Sequence, residues 1–292
     1  MKTGTACSLA PREVHLTKRP GVRRRGAADH PRWLVLVTGS VFVILLAPIA
    51  IVVTYSFNSQ HSLTVLQGLS LRWYRSFIHD RDALASLGAS LRVATATMVA
   101  ATVIGSLLAL GIARARRRWT RPVAGVLLLS LVAPEIATAV AALLFFTRLG
   151  MTLSLTTVTL AHVTFSIAYV AIVVGARISG IDLSYEEAAM DLGASEIGAL
   201  RYVLLPLLWP AILASALLVF VLSFDDFVTT YFASGSGVSP LPVLIYGMLR
   251  IGVSPEINAI GTSMMLLTLS LAAVALTLLR LRRTVSARHV AQ

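Results

Sequence analysis

The sequence predicts an all-α integral membrane protein with six transmembrane helices and cytoplasmic N- and C-termini. Of its 292 residues 57% are apolar and 13% charged, with a mean hydropathy of +0.81, whereas soluble domains run at about 25% charged. Six apolar stretches recur along the chain, each near the ~20 residues that a helix needs to cross the hydrocarbon layer. Of the 25 Lys and Arg residues, 19 fall in the segments on one side of these stretches, and loops rich in Lys and Arg stay in the cytoplasm.

In chain order, residues 1–32 hold eight basic residues without apolar periodicity and read as a disordered cytoplasmic tail. The first span, Trp33–Tyr55, carries an aromatic ring at each end, suited to the headgroup level. It is longer than the ~7–15-residue apolar core of a signal peptide, so it reads as an uncleaved span. The second span is Leu91–Ala113, followed by five arginines within 114–122. The third is Val123–Phe146, with Glu135 near its middle; the fourth is Leu153–Gly175, with a lone His162. The fifth, Leu207–Phe224, contains Pro210 and ends at Asp225-Asp226. Ser254-Pro255-Glu256 starts the sixth, Ile257–Leu281, with a capping hydroxyl, Pro at the first helical position and an acid. Residues 33–281 thus form the transmembrane domain, with a long cytoplasmic loop at 176–206 and a tail at 282–292.

Several chemistries are excluded. A net charge of +12 suits nucleic acid, but the basic residues here follow topology, and no nucleic-acid partner is expected. One cysteine, Cys7, allows neither an internal disulfide framework nor a Cys-rich metal site. The only lysines, Lys2 and Lys18, lack the GxxxxGK[ST] frame of a P-loop, and no HExxH pair occurs. Gly235-Ser236-Gly237 is too short for a nucleophile elbow. No catalytic residue, metal ligand or cofactor of this chain is expected.

The loop 176–206 has its own architecture. Ser184-Tyr185-Glu186-Glu187 reads as a capping box, with Ser184 as cap and Glu187 reaching back to its amide. Ala188, Ala189, Met190 and Asp191 continue a short helix, Gly193 ends it in a left-handed conformation, and Ser195 caps a second helix running to Pro206. A short rigid helix at the cytoplasmic surface suits docking to another protein.

Glu187-Ala188-Ala189, three residues, Gly193, nine residues, then Val203-Leu204-Leu205-Pro206 resembles the EAA loop of type I, binding-protein-dependent ABC-importer permeases; Val203 in place of Ile is the one departure. Tyr55-Ser56-Phe57-Asn58, Trp73-Tyr74, Pro134-Glu135-Ile136, His162-Val163-Thr164-Phe165, Ser223-Phe224-Asp225-Asp226 and Gly252–Ala259 are similar to the second permease subunit of spermidine/putrescine importers. Permeases for other small cargoes share several of these segments, so ferric iron, thiamine or a phosphonate remain alternatives.

The resemblance implies a multi-pass protein of the bacterial cytoplasmic membrane, working by alternating access. Its partners would be two copies of an ATPase subunit that holds the ATP and Mg, a second homologous permease and an extracytoplasmic solute-binding protein. The ATPase-coupling residues would be Ser184, Glu187, Ala188, Ala189, Asp191, Gly193 and Pro206. Readings from other classes, an ion channel or an intramembrane enzyme, leave the EAA spacing unexplained or lack the paired groups for chemistry.

For the pathway, acids within spans cost roughly 2.5–3.5 kcal/mol each on insertion scales, so they face protein or water. Glu135, Asp225 and Asp226 are the candidates for meeting ammonium groups, with Phe224, Phe227, Tyr231 and Phe232 available for cation–π contact. The alternatives are a Glu135 paired with a neighbouring span, an Asp pair solvated at the interface, and aromatics of the interfacial belt. Helical neighbours point ~100° apart, so at most one of Asp225 and Asp226 is expected to enter a cavity. His162 is expected to be packed or hydrogen-bonded. The apolar stretch that ends at Leu249, after Pro240 and Pro242, is either a small interfacial helix at an outer gate or a connector packed on the bundle.

Overall fold

Apolar helices make up most of the computed structural model, which describes residues 32–60, 65–182, 184–237 and 239–289. The basic tail expected over 1–32 lies, apart from Arg32, outside the described residues. Internal contacts divide the chain into two units, Met1–Ala47 and Pro48–Gln292. The first contributes most of α1 (Arg32–Ser56), an apolar helix with Pro48 inside it. All the candidate functional residues belong to the second.

After α1 the chain forms a small polar fold. The buried Asn58 side chain donates to the Val65 carbonyl at 2.9 Å and accepts from the Gln67 amide at 3.1 Å. The next helix, α2 (Arg72–His79), buries Trp73 and Phe77. The Trp73 indole donates to the Asn58 carbonyl at 2.7 Å, and the Tyr74 hydroxyl lies 2.7 Å from Ser56 Oγ. The two sequence segments Tyr55–Asn58 and Trp73-Tyr74 are therefore one structural unit.

The second expected span is part of a longer helix, α3 (Arg81–Arg114), which starts ten residues before Leu91. Asp80 caps it by accepting from the Asp82 and Ala83 amides. At 1.5 Å per residue it is about 50 Å long, so it projects beyond a ~30 Å hydrocarbon layer. Its polar first turns escaped a reading based on hydropathy for that reason.

The third expected span is broken. It consists of α4 (Arg117–Val132) and α5 (Glu135–Arg148), which meet at 104°. Ala133 and Pro134 between them are extended. Pro134 has no amide hydrogen, and its ring disfavours a helical conformation at Ala133. Both residues are apolar enough to pass as continuous span, which is why hydropathy hides the break.

Next come α6 (Leu155–Ile178), the loop helices α7 (Ser184–Asp191) and α8 (Glu196–Ala199), and a π-helical turn at Leu200–Leu204. They lead into α9 (Leu205–Asp225), continuous despite Pro210. Then follow α10 (Val228–Ala233), α11 (Leu241–Ile251) and α12 (Pro255–His289). The last begins at Pro255 as expected but runs past Leu281 into the segment read as a tail. Among the described residues five helices are long and apolar enough to cross a membrane, and a sixth span results when the bent α4–α5 pair is counted as one.

Lipid tails are as apolar as leucine, so spans associate by close packing rather than by a hydrophobic drive. Small side chains supply that closeness. Ala94, Ala101 and Ala109 of α3 and Ala161, Ala168 and Ala171 of α6 are buried, and α3 packs chiefly against α6 and α9. A Cβ at Gly105 would lie 2.6 Å from Val170 Cβ and 2.9 Å from the Ile167 carbonyl oxygen. The stretch after Pro240 proves to be a helix packed on α3 and α12, with the Leu241 amide donating to the buried Ser90 hydroxyl at 2.8 Å.

Candidate functional site

The break between α4 and α5 opens onto a cavity of about 430 Å³. A helix interrupted at membrane depth leaves backbone groups unpaired, which is tolerated where they line a wet or protein-filled space. Ser130, Leu131 and Ala133 form one wall, and Glu135, in the first turn of α5, projects into it. That turn is the positive end of the α5 dipole, a favourable place for a carboxylate.

The opposite wall comes from α6 and α9. Phe165 and Tyr169 lie on the α6 side, and Val221, Leu222, Asp225 and Asp226 on the α9 side. Both aspartates line this one cavity, contrary to the expectation that only one would. Asp225 is the last residue of α9, whereas Asp226 is extended with ψ 121°, so the ~100° helical rule does not apply between them. Glu135 and Asp226 lie close enough for their carboxyl groups to interact. Asp226 is not simply solvated either: its Oδ2 accepts from His162 Nε2 at 3.1 Å and from the Thr230 amide at 2.9 Å. His162 is packed and hydrogen-bonded, as the sequence reading expected.

The expected aromatics are arranged differently. Phe224 is buried and stacked on Phe220 with ring centroids 5.8 Å apart, so it has no face free for a cation. Tyr231 is not among the cavity-lining residues. It packs with Phe227 at 5.5 Å and with Tyr246 at 5.6 Å, and the Arg250 guanidinium lies over Tyr246. The rings that do line the cavity, Phe165 and Tyr169, were missed. Their signal was present in the sequence, because His162, Phe165 and Tyr169 recur at the three- and four-residue steps that share a helix face.

The loop 176–206 is built as the spacing suggested, with one correction at its start. Ser184 is the first helical residue of α7 rather than its cap. The capping acceptor is Asp182, whose carboxylate receives the Ser184 amide at 3.0 Å. This backbone hydrogen bond, together with the Ser184 side chain, holds the Asp182 carboxyl below its ordinary value. The helix ends on Gly193 at φ +92°. The Gly193 amide bonds to the Met190 carbonyl and the Ala194 amide to the Ala189 carbonyl, the paired bonds of a Schellman motif. Ser195 then caps α8 by accepting from the Gly198 amide at 3.2 Å.

Beyond α8, the Leu205 amide bonds back to the Leu200 carbonyl. Pro206 cannot donate, and its ring excludes the carbonyl four residues earlier, which accounts for the wider π turn before α9. An ion pair between Arg114, in the last turn of α3, and Glu186 ties α7 to the bundle. The outer surface of the loop is apolar in places, with Leu192 90% and Ile197 76% exposed.

Residues 101–288 match the family described as binding-protein-dependent transport system inner membrane component. The chain is 39% identical over 237 residues to the putrescine transport system permease protein PotI of Escherichia coli (strain K12), an alignment covering 79% of this chain and 84% of that one. It is 37% identical over 230 residues to the spermidine/putrescine transport system permease protein PotC of the same strain, covering 79% and 87%. Its fold is similar to a chain in the crystal structure of a bacterial ABC transporter involved in the import of the acidic polysaccharide alginate. There the TM-score is 0.71 at 14% identity, covering 85% of this chain and 94% of that chain.

Proposed function

Because this chain belongs to the family of binding-protein-dependent transport system inner membrane components, we propose that it forms part of the pathway by which an ATP-driven importer carries a polyamine, putrescine or spermidine, across the membrane. The observation that carries the cargo class is the cavity at the α4–α5 break, where Glu135, Asp225 and Asp226 face one space with Phe165 and Tyr169. A polyamine is a string of ammonium groups on an apolar stem. Carboxylates match the charges, and aromatic faces attract an ammonium by ~0.5–2 kcal/mol. The relatives named for putrescine and spermidine support the same cargo.

Coupling to ATP belongs to the loop 176–206. Its short helix α7, stopped by Gly193 and flanked by exposed Leu192 and Ile197, suits a groove on a separate ATPase subunit. Ser184, Glu187, Ala188, Ala189 and Asp191 form that helix, and Gly193 and Pro206 set the turn and the re-entry to α9. In this reading both termini and the loop are cytoplasmic, and ATP and Mg bind the ATPase, present in two copies. A second, homologous permease completes the pathway, and an extracytoplasmic binding protein delivers the cargo. Alternating access then follows from tilting of the spans as α7 is moved.

The test is uptake of labelled putrescine and spermidine in cells with and without this gene, in a strain lacking other polyamine importers. Loss of saturable uptake on deletion is expected, with restoration by wild type and not by Glu135→Gln or Asp225→Asn. Normal uptake by both variants at matched membrane levels overturns the acidic pathway.

A further inference from the structure

We propose that His162 is a positioning residue for cargo: it does not touch the cargo but fixes the carboxylate of Asp226 that does. The inference rests on the cation-pathway reading above. His162 is fully buried in α6 and is not among the residues lining the cavity, whereas Asp226 is. Both ring nitrogens are engaged. Nδ1 lies 2.7 Å from Ser223 Oγ, and Nε2 lies 3.1 Å from Asp226 Oδ2 and 3.2 Å from Thr230 Oγ1. We assign the ring proton to Nε2, facing the carboxylate, which makes the Ser223 hydroxyl the donor to Nδ1.

The same carboxylate oxygen collects further donors. Asp226 Oδ2 also accepts from the Thr230 amide at 2.9 Å and the Thr230 hydroxyl at 3.1 Å. That oxygen is held by three donors, and with the Glu135 carboxyl close by, an ammonium group would meet the two acids together. Asp226 needs this anchoring because it stands in the non-helical corner after α9, where no helical ladder fixes its backbone. His162, Ser223 and Thr230 belong to α6, α9 and α10, so three elements converge on one acid. A carboxylate held in this way is pre-oriented for cargo, and less order has to be imposed when the ammonium arrives.

The assembled transporter supplies the test, with initial uptake of labelled putrescine read at saturating cargo and matched membrane levels. His162→Ala removes the donor and is expected to lower uptake about tenfold or more. His162→Gln keeps an N–H near the position of Nε2 and is expected to stay within about threefold of wild type. Asp226→Asn is expected to match His162→Ala, and the double variant to fall no further. Thr230→Val removes one donor to the same oxygen at similar volume, and a loss of about threefold is expected. Wild-type uptake by His162→Ala or Thr230→Val overturns the proposal. A Gln variant as impaired as Ala, or a double variant that multiplies the two losses, does so as well. Failure of the parent reading looks different: Glu135→Gln and Asp226→Asn then transport putrescine normally. Loss of uptake in those two with wild-type uptake in His162→Ala sinks the positioning role alone.

Discussion

Arg114 and Glu186 form an ion pair that joins the last turn of the long helix α3 to the loop helix α7. Seventy-two residues separate them in the chain, and the contact gives α7 a direct grip on α3 as well as its chain link to α6. The pair is part-exposed, with side-chain exposures of 48% and 18%, and such pairs contribute about 0–1 kcal/mol to stability.

Its disruption is therefore expected to act on transmission more than on folding. Arg114→Glu should leave thermal unfolding of the purified complex nearly unchanged while lowering putrescine uptake several-fold. The charge swap Arg114→Glu with Glu186→Arg should recover much of the loss. Equal loss in the single and the swapped variants would remove the ion pair from the transmission route.

Gly193 occupies the left-handed position that closes α7 at φ +92°. A side chain there costs roughly 1–2 kcal/mol, and Gly193→Pro also deletes the amide that bonds Met190. Gly193→Pro, and Glu187→Arg on the helix itself, are expected to abolish cargo-stimulated ATP hydrolysis by the assembled transporter. Asn tolerates the conformation better, so Gly193→Asn should retain partial activity. Unchanged stimulation in well-assembled Gly193→Pro would argue against the loop as the coupling element.

The start of α7 depends on Asp182 in its ionised form. Its carboxyl titrates below the ordinary 3.8 because it accepts from Ser184, so the folded state holds the charged form more strongly than the unfolded chain does. The contribution is therefore present at pH above the unfolded value and disappears as pH falls through the lowered one. Hydrogen exchange at the Ser184 amide should be equally protected from pH 8 to pH 5, after correction for intrinsic rates. Asp182→Ala should remove the protection throughout that range. Exchange in wild type that rises steadily across neutral pH would contradict this.

Gly105 sets the distance between α3 and α6. A Cβ there meets Val170 Cβ at 2.6 Å and a backbone carbonyl at 2.9 Å, and backbone cannot rotate away. Gly105→Leu is expected to destabilise the bundle by about 1–3 kcal/mol through overpacking, read as a lowered unfolding midpoint in detergent. Gly111→Ala, on the same helix where nothing lies within 4 Å, serves as the control and should be neutral. Equal stability of the two variants would refute close packing at Gly105.

Much of this molecule is legible in its sequence. The spans are a local property, since about 20 apolar residues suffice to make one, and so all six stretches were visible. The turn chemistry of the loop was equally local. Gly193 and Pro206 act through their own backbone and Ser195 through its hydroxyl, each within a few residues. The start of α7 was misread by one residue: Ser184 is the first helical residue, and the carboxylate of Asp182 receives its amide, a choice that only the chain path makes.

The acids themselves were also visible, since charge within an apolar run stands out. Their meeting was not. It depends on Ala133-Pro134 turning α4 and α5 through 104°, on α9 stopping at Asp225, and on α6 delivering Phe165 and Tyr169 to the same space. His162 and Asp226 lie 64 residues apart, and only packing brings them to 3.1 Å. The sequence by itself determined the membrane spans, the loop helix with its stop, and the identity of the charged groups, because hydropathy, capping and backbone freedom act over a few residues. The tertiary structure decided which of those groups share a cavity and which are held by a partner, because that depends on where helices end and how closely small residues let them approach.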